Sequence, residues 1–193
     1  MKNRVITISR QFGSGGRTIG KEVAARLGIP CYDQELIEMF AKESGFSEEH
    51  VTEIDEKPAK RKLFAHRSEN AWQSSYMQVA LWRAQKKVVL DLAEKGPCVI
   101  VGRCADHILR DAADCLRVFI HADIDKRAER IVKVYGETGE TPLKRITDKD
   151  KSRKAYYQMY TDAEWGVAEN YHISLDSAAL GFEKCIEILM DLY

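Results

Sequence analysis

The sequence has no surplus of charge: 30 Lys and Arg stand against 30 Asp and Glu over 193 residues. A chain with no net positive field has little means of holding a polyanion non-specifically or of settling on an anionic membrane. Nucleic acid and membrane are therefore not expected as partners. Proline and glycine are sparse, at 4 and 12, and 45% of the chain is hydrophobic, which excludes disorder, collagen-like repeats and low-complexity linkers. No apolar stretch reaches the length of a membrane span. The short run at Val5 to Ile8 breaks off too soon for a secretion signal. Paired cysteines are missing as well: Cys31, Cys98, Cys104, Cys115 and Cys185 are odd in number, scattered, and form no C-x-x-C. Together with five histidines that lack ligand spacing, they read as reduced thiols of a cytoplasmic protein rather than a disulfide framework or a zinc site.

What is present is an alternation. Short β-rich runs at Val5–Ile8, 29–32, Cys98–Val101, Leu116–His121 and 171–175 are separated by stretches of helical period, as in Ile19, Val23, Ala24 and Leu27. That order predicts a parallel sheet with helices on both faces. Two segments interrupt it. Residues 45–95 form a long, mostly helical insertion, with Val79, Trp82, Val89 and Leu92 as its expected buried stripe. Residues 136–153 carry Gly136, Gly139 and Pro142 and read as a mobile loop or lid. The remainder, about 1–44 and 96–193, is the expected core of a single domain.

The strongest local signal runs from Val5 to Thr18: a buried strand, the turn Gln11-Phe12-Gly13-Ser14-Gly15-Gly16, then Arg17-Thr18 opening an amphipathic helix. Glycines let successive backbone N–H groups converge on phosphate oxygens, and the helix N-terminus adds unpaired donors. Compared with G-x-x-x-x-G-K-[ST], the sequence keeps Gly16 and Thr18 but has Gln11 for the first Gly and Arg17 for Lys. Arginine keeps the charge and grips phosphate with two N–H groups, although its planar fork does not copy a compact ammonium.

Ile8-Ser9-Arg10-Gln11-Phe12-Gly13-Ser14-Gly15-Gly16-Arg17 resembles the divergent loop of the cytidylate kinase-like family, a branch of the nucleoside monophosphate kinases. The resemblance spans essentially the whole chain. It implies a three-layer α/β/α P-loop NTPase fold with a central parallel sheet, a helical monophosphate-binding insertion and a lid. It further implies ATP-dependent phosphoryl transfer to a nucleoside monophosphate, CMP or dCMP, with Mg²⁺ accompanying ATP. By the same resemblance Gly13, Ser14, Gly15, Gly16, Arg17 and Thr18 would hold ATP phosphates, with Thr18 at the metal. Asp33, Arg103, Asp150 and Arg153 would hold the acceptor, and Arg17, Arg127, Arg130 and Arg153 would act on the transferring group. The matches are uneven. Cys104 replaces the Asp of a G-R-D segment, and the lid pattern R-D-x-D-x-x-R, matched at Asp150 and Arg153, has no Arg at its first position.

Several of these residues have plainer readings. Asp33 equally reads as a helix N-cap before Glu35. Arg127 and Arg130 lie on a charged helix with Lys126 and Glu129, where i,i+3 pairing accounts for them. The basic run Lys57 to Arg67 follows Glu53, Asp55 and Glu56 and reads as a solvated face. Tyr156, Tyr157, Tyr160 and Trp165 read as core before they read as a stacking platform. Two rival functions stay open, a nucleotide-binding sensor with weak or no transfer and a kinase for another small metabolite. The sequence leaves acceptor identity and oligomeric state undecided.

Overall fold

The structure, a computed structural model, describes residues 4–56 and 69–193, with side chains given outside 53–75. The basic run at 57–67 therefore lies outside the described residues. The elements follow the order β1 (Arg4–Arg10), α1 (Gly16–Leu27), β2 (Cys31–Tyr32), α2 (Glu35–Ser44), α3 (Glu48–Glu56), α4 (Glu69–Lys95), β3 (Cys98–Val101) and α5 (Ala105–Ile108). Then come β4 (Asp114–His121), α6 (Ile124–Tyr135), α7 (Pro142–Tyr160), a 3₁₀ turn at Ala168–Asn170, β5 (Ile173–Asp176), α8 (Ser177–Leu180) and α9 (Phe182–Asp191).

Among the described residues the strands form one parallel sheet in the order β2-β3-β1-β4-β5. The sheet is apolar on both sides, as a parallel sheet covered by helices must be. Alternation along β1 divides the work. Val5 joins Cys98, Ile100, Leu36, Phe40, Leu81, Val89 and Leu92 beneath α2 and α4. Ile6 and Ile8 join Val99, Val101, Val118, Ile120, Ile19 and Val23 beneath α1 and α9. The result is the three-layer α/β/α P-loop fold that the sequence predicts.

Two local expectations are corrected. In α4 the buried face is Leu81, Ala84, Gln85, Val88, Val89 and Leu92, while Val79 is exposed. Among the described side chains of α4, the apolar contacts with α2 and α5 come from Leu81, Val88, Val89 and Leu92, beyond Val79. The stretch taken as a loop is largely helix, since α7 begins at Pro142. The Thr141 side chain accepts a hydrogen bond from the Lys144 N–H, and Pro142 fills a first-turn position where its missing N–H costs nothing. Lys144 then pairs with Glu140 and Asp148 one turn either way.

All five cysteines are free thiols, four of them buried and Cys31 partly so. Burial pushes the Cys98 thiol up to about 12 and the Cys31 and Cys115 thiols up to about 11. Among the described residues no helix is long and apolar enough to cross a membrane.

Candidate active site

The turn between β1 and α1 lies at the carboxyl end of the sheet, where parallel α/β proteins bind their ligands. It is tied down from below. The Gln11 N–H donates to Ile120 O at 3.0 Å, and the Ala122 N–H donates to Gln11 Oε1 at 3.2 Å. Ser14 Oγ donates to Gln11 O and Ile120 O, and Ser177 Oγ donates to Ser14 O at 2.6 Å. The Ser14 side chain is thus a strut under the loop. Gly13 (φ 83°) and Gly15 (φ 80°) occupy the left-handed region that a side chain resists. At Gly13 a Cβ would stand 2.9 Å from the Arg127 carbonyl; at Gly15 it would run into the Phe182 ring. The first α1 bond runs from the Ile19 N–H to Gly15 O, so the amides of the helix's opening turn, Gly16 to Thr18, have no earlier helical carbonyl to use.

The two polar side chains that close the loop have partners. Arg17 forms an ion pair with Asp33, which is buried after β2. Asp33 is not the helix cap: the N-cap of α2 is Gln34, and Glu35 instead accepts from the Asp33 N–H at 3.2 Å. Its own backbone N–H, with a smaller part from the Asp33 N–H, holds the Glu35 carboxyl below the usual range against the opposing effect of burial. Thr18 Oγ1 accepts from Arg130 Nη2 at 3.0 Å, and the Arg130 guanidinium lies over the Phe182 ring, 4.5 Å from its centre. Arg130 and Phe182 also line a cleft of about 270 Å³ whose walls include Gly13, Ser14, Lys126 and Ser177.

At the end of β3 three consecutive residues have positive φ: Gly102 at 80°, Arg103 at 60° and Cys104 at 53°. Two non-glycine residues in that region cost of order 1–3 kcal/mol each, strain that concentrates at functional sites. Here the turn brings the Arg103 guanidinium over Phe40 of α2, 5.9 Å from the ring centre. A Cβ on Gly102 would meet only the movable guanidinium of Arg10, so it is the φ of 80° that favours glycine here. The same turn starts α5, whose Asp106 is buried and accepts from Tyr157 OH at 2.7 Å and Ser9 Oγ at 3.4 Å. Burial raises the Asp106 carboxyl despite these donors, and burial beside Asp106 raises the Tyr157 hydroxyl.

The residues expected at a lid divide. Arg130 faces the cleft, whereas Arg127 is buried and paired with Asp150 at 2.6 Å. Arg153 donates to Arg10 O at 2.9 Å and lies over Phe12. Arg17, Thr18, Arg130 and Asp33 are thus gathered at one end of the loop, Arg127, Asp150 and Arg153 at its start, and Arg103 beside α2. Sequence reasoning missed Arg10, Phe40 and Phe182. Arg10 stood within the quoted loop motif; Phe182 had only an apolar helix position, which points to core.

For Mg²⁺, the described residues offer no group of three or more His, Cys, Asp or Glu. Asp33 is committed to Arg17 and Asp106 to Tyr157 and Ser9. The Thr18 hydroxyl at the helix start, although it accepts from Arg130, has a second lone pair and is a hard oxygen suited to an ion carried mainly by nucleotide phosphates and water.

The description "Cytidylate kinase-like family" matches residues 5–179. The chain belongs to that family. Similar proteins include a cytidylate kinase of Pyrococcus horikoshii, 27% identical over 158 residues, covering 81% of this chain and 71% of the relative. A shikimate kinase of Zymomonas mobilis is 26% identical and covers 94% of each chain. Among solved structures, a protein from Eubacterium ventriosum superposes with a TM-score of 0.72 at 26% identity, over 97% of this chain and 96% of its own. Membership in the cytidylate kinase-like family and these relatives support a small-molecule P-loop kinase, a phosphotransferase.

Proposed function

We propose that the protein transfers the γ-phosphoryl group of ATP to a nucleoside monophosphate, CMP or dCMP. The observation that carries this reading is the Arg17–Asp33 ion pair. It joins the cation that ends the phosphate loop to the acidic residue after β2, so the donor-side and acceptor-side groups meet at one contact. Arg17, on the mouth of the loop and over a third exposed, can meet phosphate oxygens while it stays beside the buried Asp33.

In this reading the amides from Gly13 to Thr18 cradle the donor phosphates, and Arg17 bridges towards the transferring group. Arg130 adds charge from α6, while Asp33 and Arg103 hold the acceptor. Phosphoryl transfer asks for positioning and charge neutralisation more than for covalent chemistry, and a monophosphate acceptor is already an anion that needs no general base. Mg²⁺, carried on the nucleotide and touching Thr18, would supply further neutralisation of phosphate charge. Closure of the cleft by Arg130 and Phe182 would keep water from competing for the phosphoryl group.

The test is direct: purified protein with Mg-ATP and a panel of nucleoside monophosphates should give a diphosphate, with CMP or dCMP preferred. Arg17→Met should lower that turnover at least a hundredfold, in the range reported for removal of a charge-stabilising group. No diphosphate above background with any monophosphate would overturn the reading. Turnover with a small hydroxylated metabolite instead would favour the second reading, motivated by the similarity to a shikimate kinase over nearly all of both chains.

A further inference from the structure

Three residues on one face of α7, Asp150, Arg153 and Tyr157, stand at i, i+3 and i+7. Their partners descend the end of β1 in step. Asp150 Oδ1 accepts from the Phe12 N–H at 2.7 Å, and Arg153 Nη1 donates to Arg10 O at 2.9 Å. Tyr157 reaches Ser9 through Asp106. Arg127, paired with Asp150 through its Nη1 at 2.6 Å, donates from the same nitrogen to Phe12 O at 3.3 Å and from Nε to Ala122 O at 3.0 Å. The Phe12 backbone is therefore held on both its N–H and its C=O.

The second of those contacts has a geometric result. A trans peptide is planar, so the C=O of Phe12 and the N–H of Gly13 point in opposite directions. Turning the Phe12 carbonyl down onto Arg127 turns the Gly13 N–H up into the loop. Gly13 itself, at φ 83°, has no side chain to restrain its neighbouring peptide planes. We propose that Asp150, acting through Arg127, is a positioning residue for the phosphate loop: the pair fixes the Phe12–Gly13 peptide and aims its N–H at the donor phosphates.

This rests on the kinase reading but departs from the acceptor role that the family's lid pattern assigns to Asp150. It also explains why Arg127 is buried while Arg130, one turn on, faces the cleft. An arginine meant to reach phosphate would be costly to bury against a carboxylate, because breaking a buried pair leaves a charge uncompensated.

The experiment is calorimetric titration of wild type and Asp150→Asn with a Mg²⁺-bound non-hydrolysable ATP analogue and, separately, with CMP. The variant keeps an oxygen for the Phe12 N–H but loses the charge that holds Arg127. Analogue affinity should fall at least fivefold while CMP affinity changes less than twofold. A merely structural role would lower the melting temperature and leave that ratio alone. Analogue affinity within twofold of wild type overturns the inference, as does a CMP loss larger than the analogue loss. Should Asp150→Asn fail to fold, Arg127→Lys, which keeps the charge and loses the fork, is judged by the same two criteria. Wild-type protein that bound no analogue would overturn the kinase reading and this inference together.

Discussion

Gly15 carries a heavy local constraint. Its φ of 80° is disfavoured for a side chain, and its Cα lies against the Phe182 ring that in turn packs on Arg130. Gly15→Ala should cost about 1–2 kcal/mol for the backbone alone and, by displacing Phe182, weaken binding of the ATP analogue. Equal analogue affinity in the variant, read by calorimetry, would show that the contact is dispensable. Asp106 makes a separate demand, one tied to pH. Burial raises its carboxyl in the folded protein, so the native state holds the proton more tightly than the unfolded chain does. Stability is then fully kept below the unfolded-state value and falls as pH rises towards the folded one. Asp106→Asn should remove that fall, so urea midpoints of the variant gain on wild type as pH climbs above the ordinary Asp range. A constant difference across the series would contradict it.

Single elements explain what the sequence could and could not tell. Strand positions were legible because a sheet buried on both faces must be written in unbroken apolar runs, as at Cys98–Val101, where every residue is buried. The α4 stripe was misplaced by one end: Val79 looks like core in sequence yet stays exposed, while Leu81 and Gln85 are sealed. Period alone does not say which turns of a 27-residue helix meet a neighbour. Leu81→Ala should therefore cost about 2–5 kcal/mol, and Val79→Ser less than about 0.5 kcal/mol, measured by chemical denaturation. Comparable losses at both positions would put the stripe back where the sequence reading had it. In α7 one residue, Pro142, is both a loop signal and a helix start. Proline at a first turn and proline in a loop look alike until the capping Thr141 is seen bonding forward.

At the scale of the whole molecule, the phosphate loop could be read because its chemistry is local: glycines, a helix start, Arg17 and Thr18 lie within one short stretch. The partnerships of that loop were not legible, since they join residues far apart in the chain. Arg17 meets Asp33 across α1, Thr18 meets Arg130 from α6, and Phe12 meets Asp150 from α7. Lid arginines that look equivalent in sequence, Arg127 and Arg130, part company for the same reason.

The thiols add a property of another kind. With Cys98, Cys104, Cys115 and Cys185 inside and Cys31 half-covered and hard to ionise, the native protein presents almost no nucleophilic sulfur to its surroundings. Each molecule that opens offers five at once. Alkylation of this chain is thus a clock for global opening, and whatever holds the sheet shut also protects the protein from oxidants.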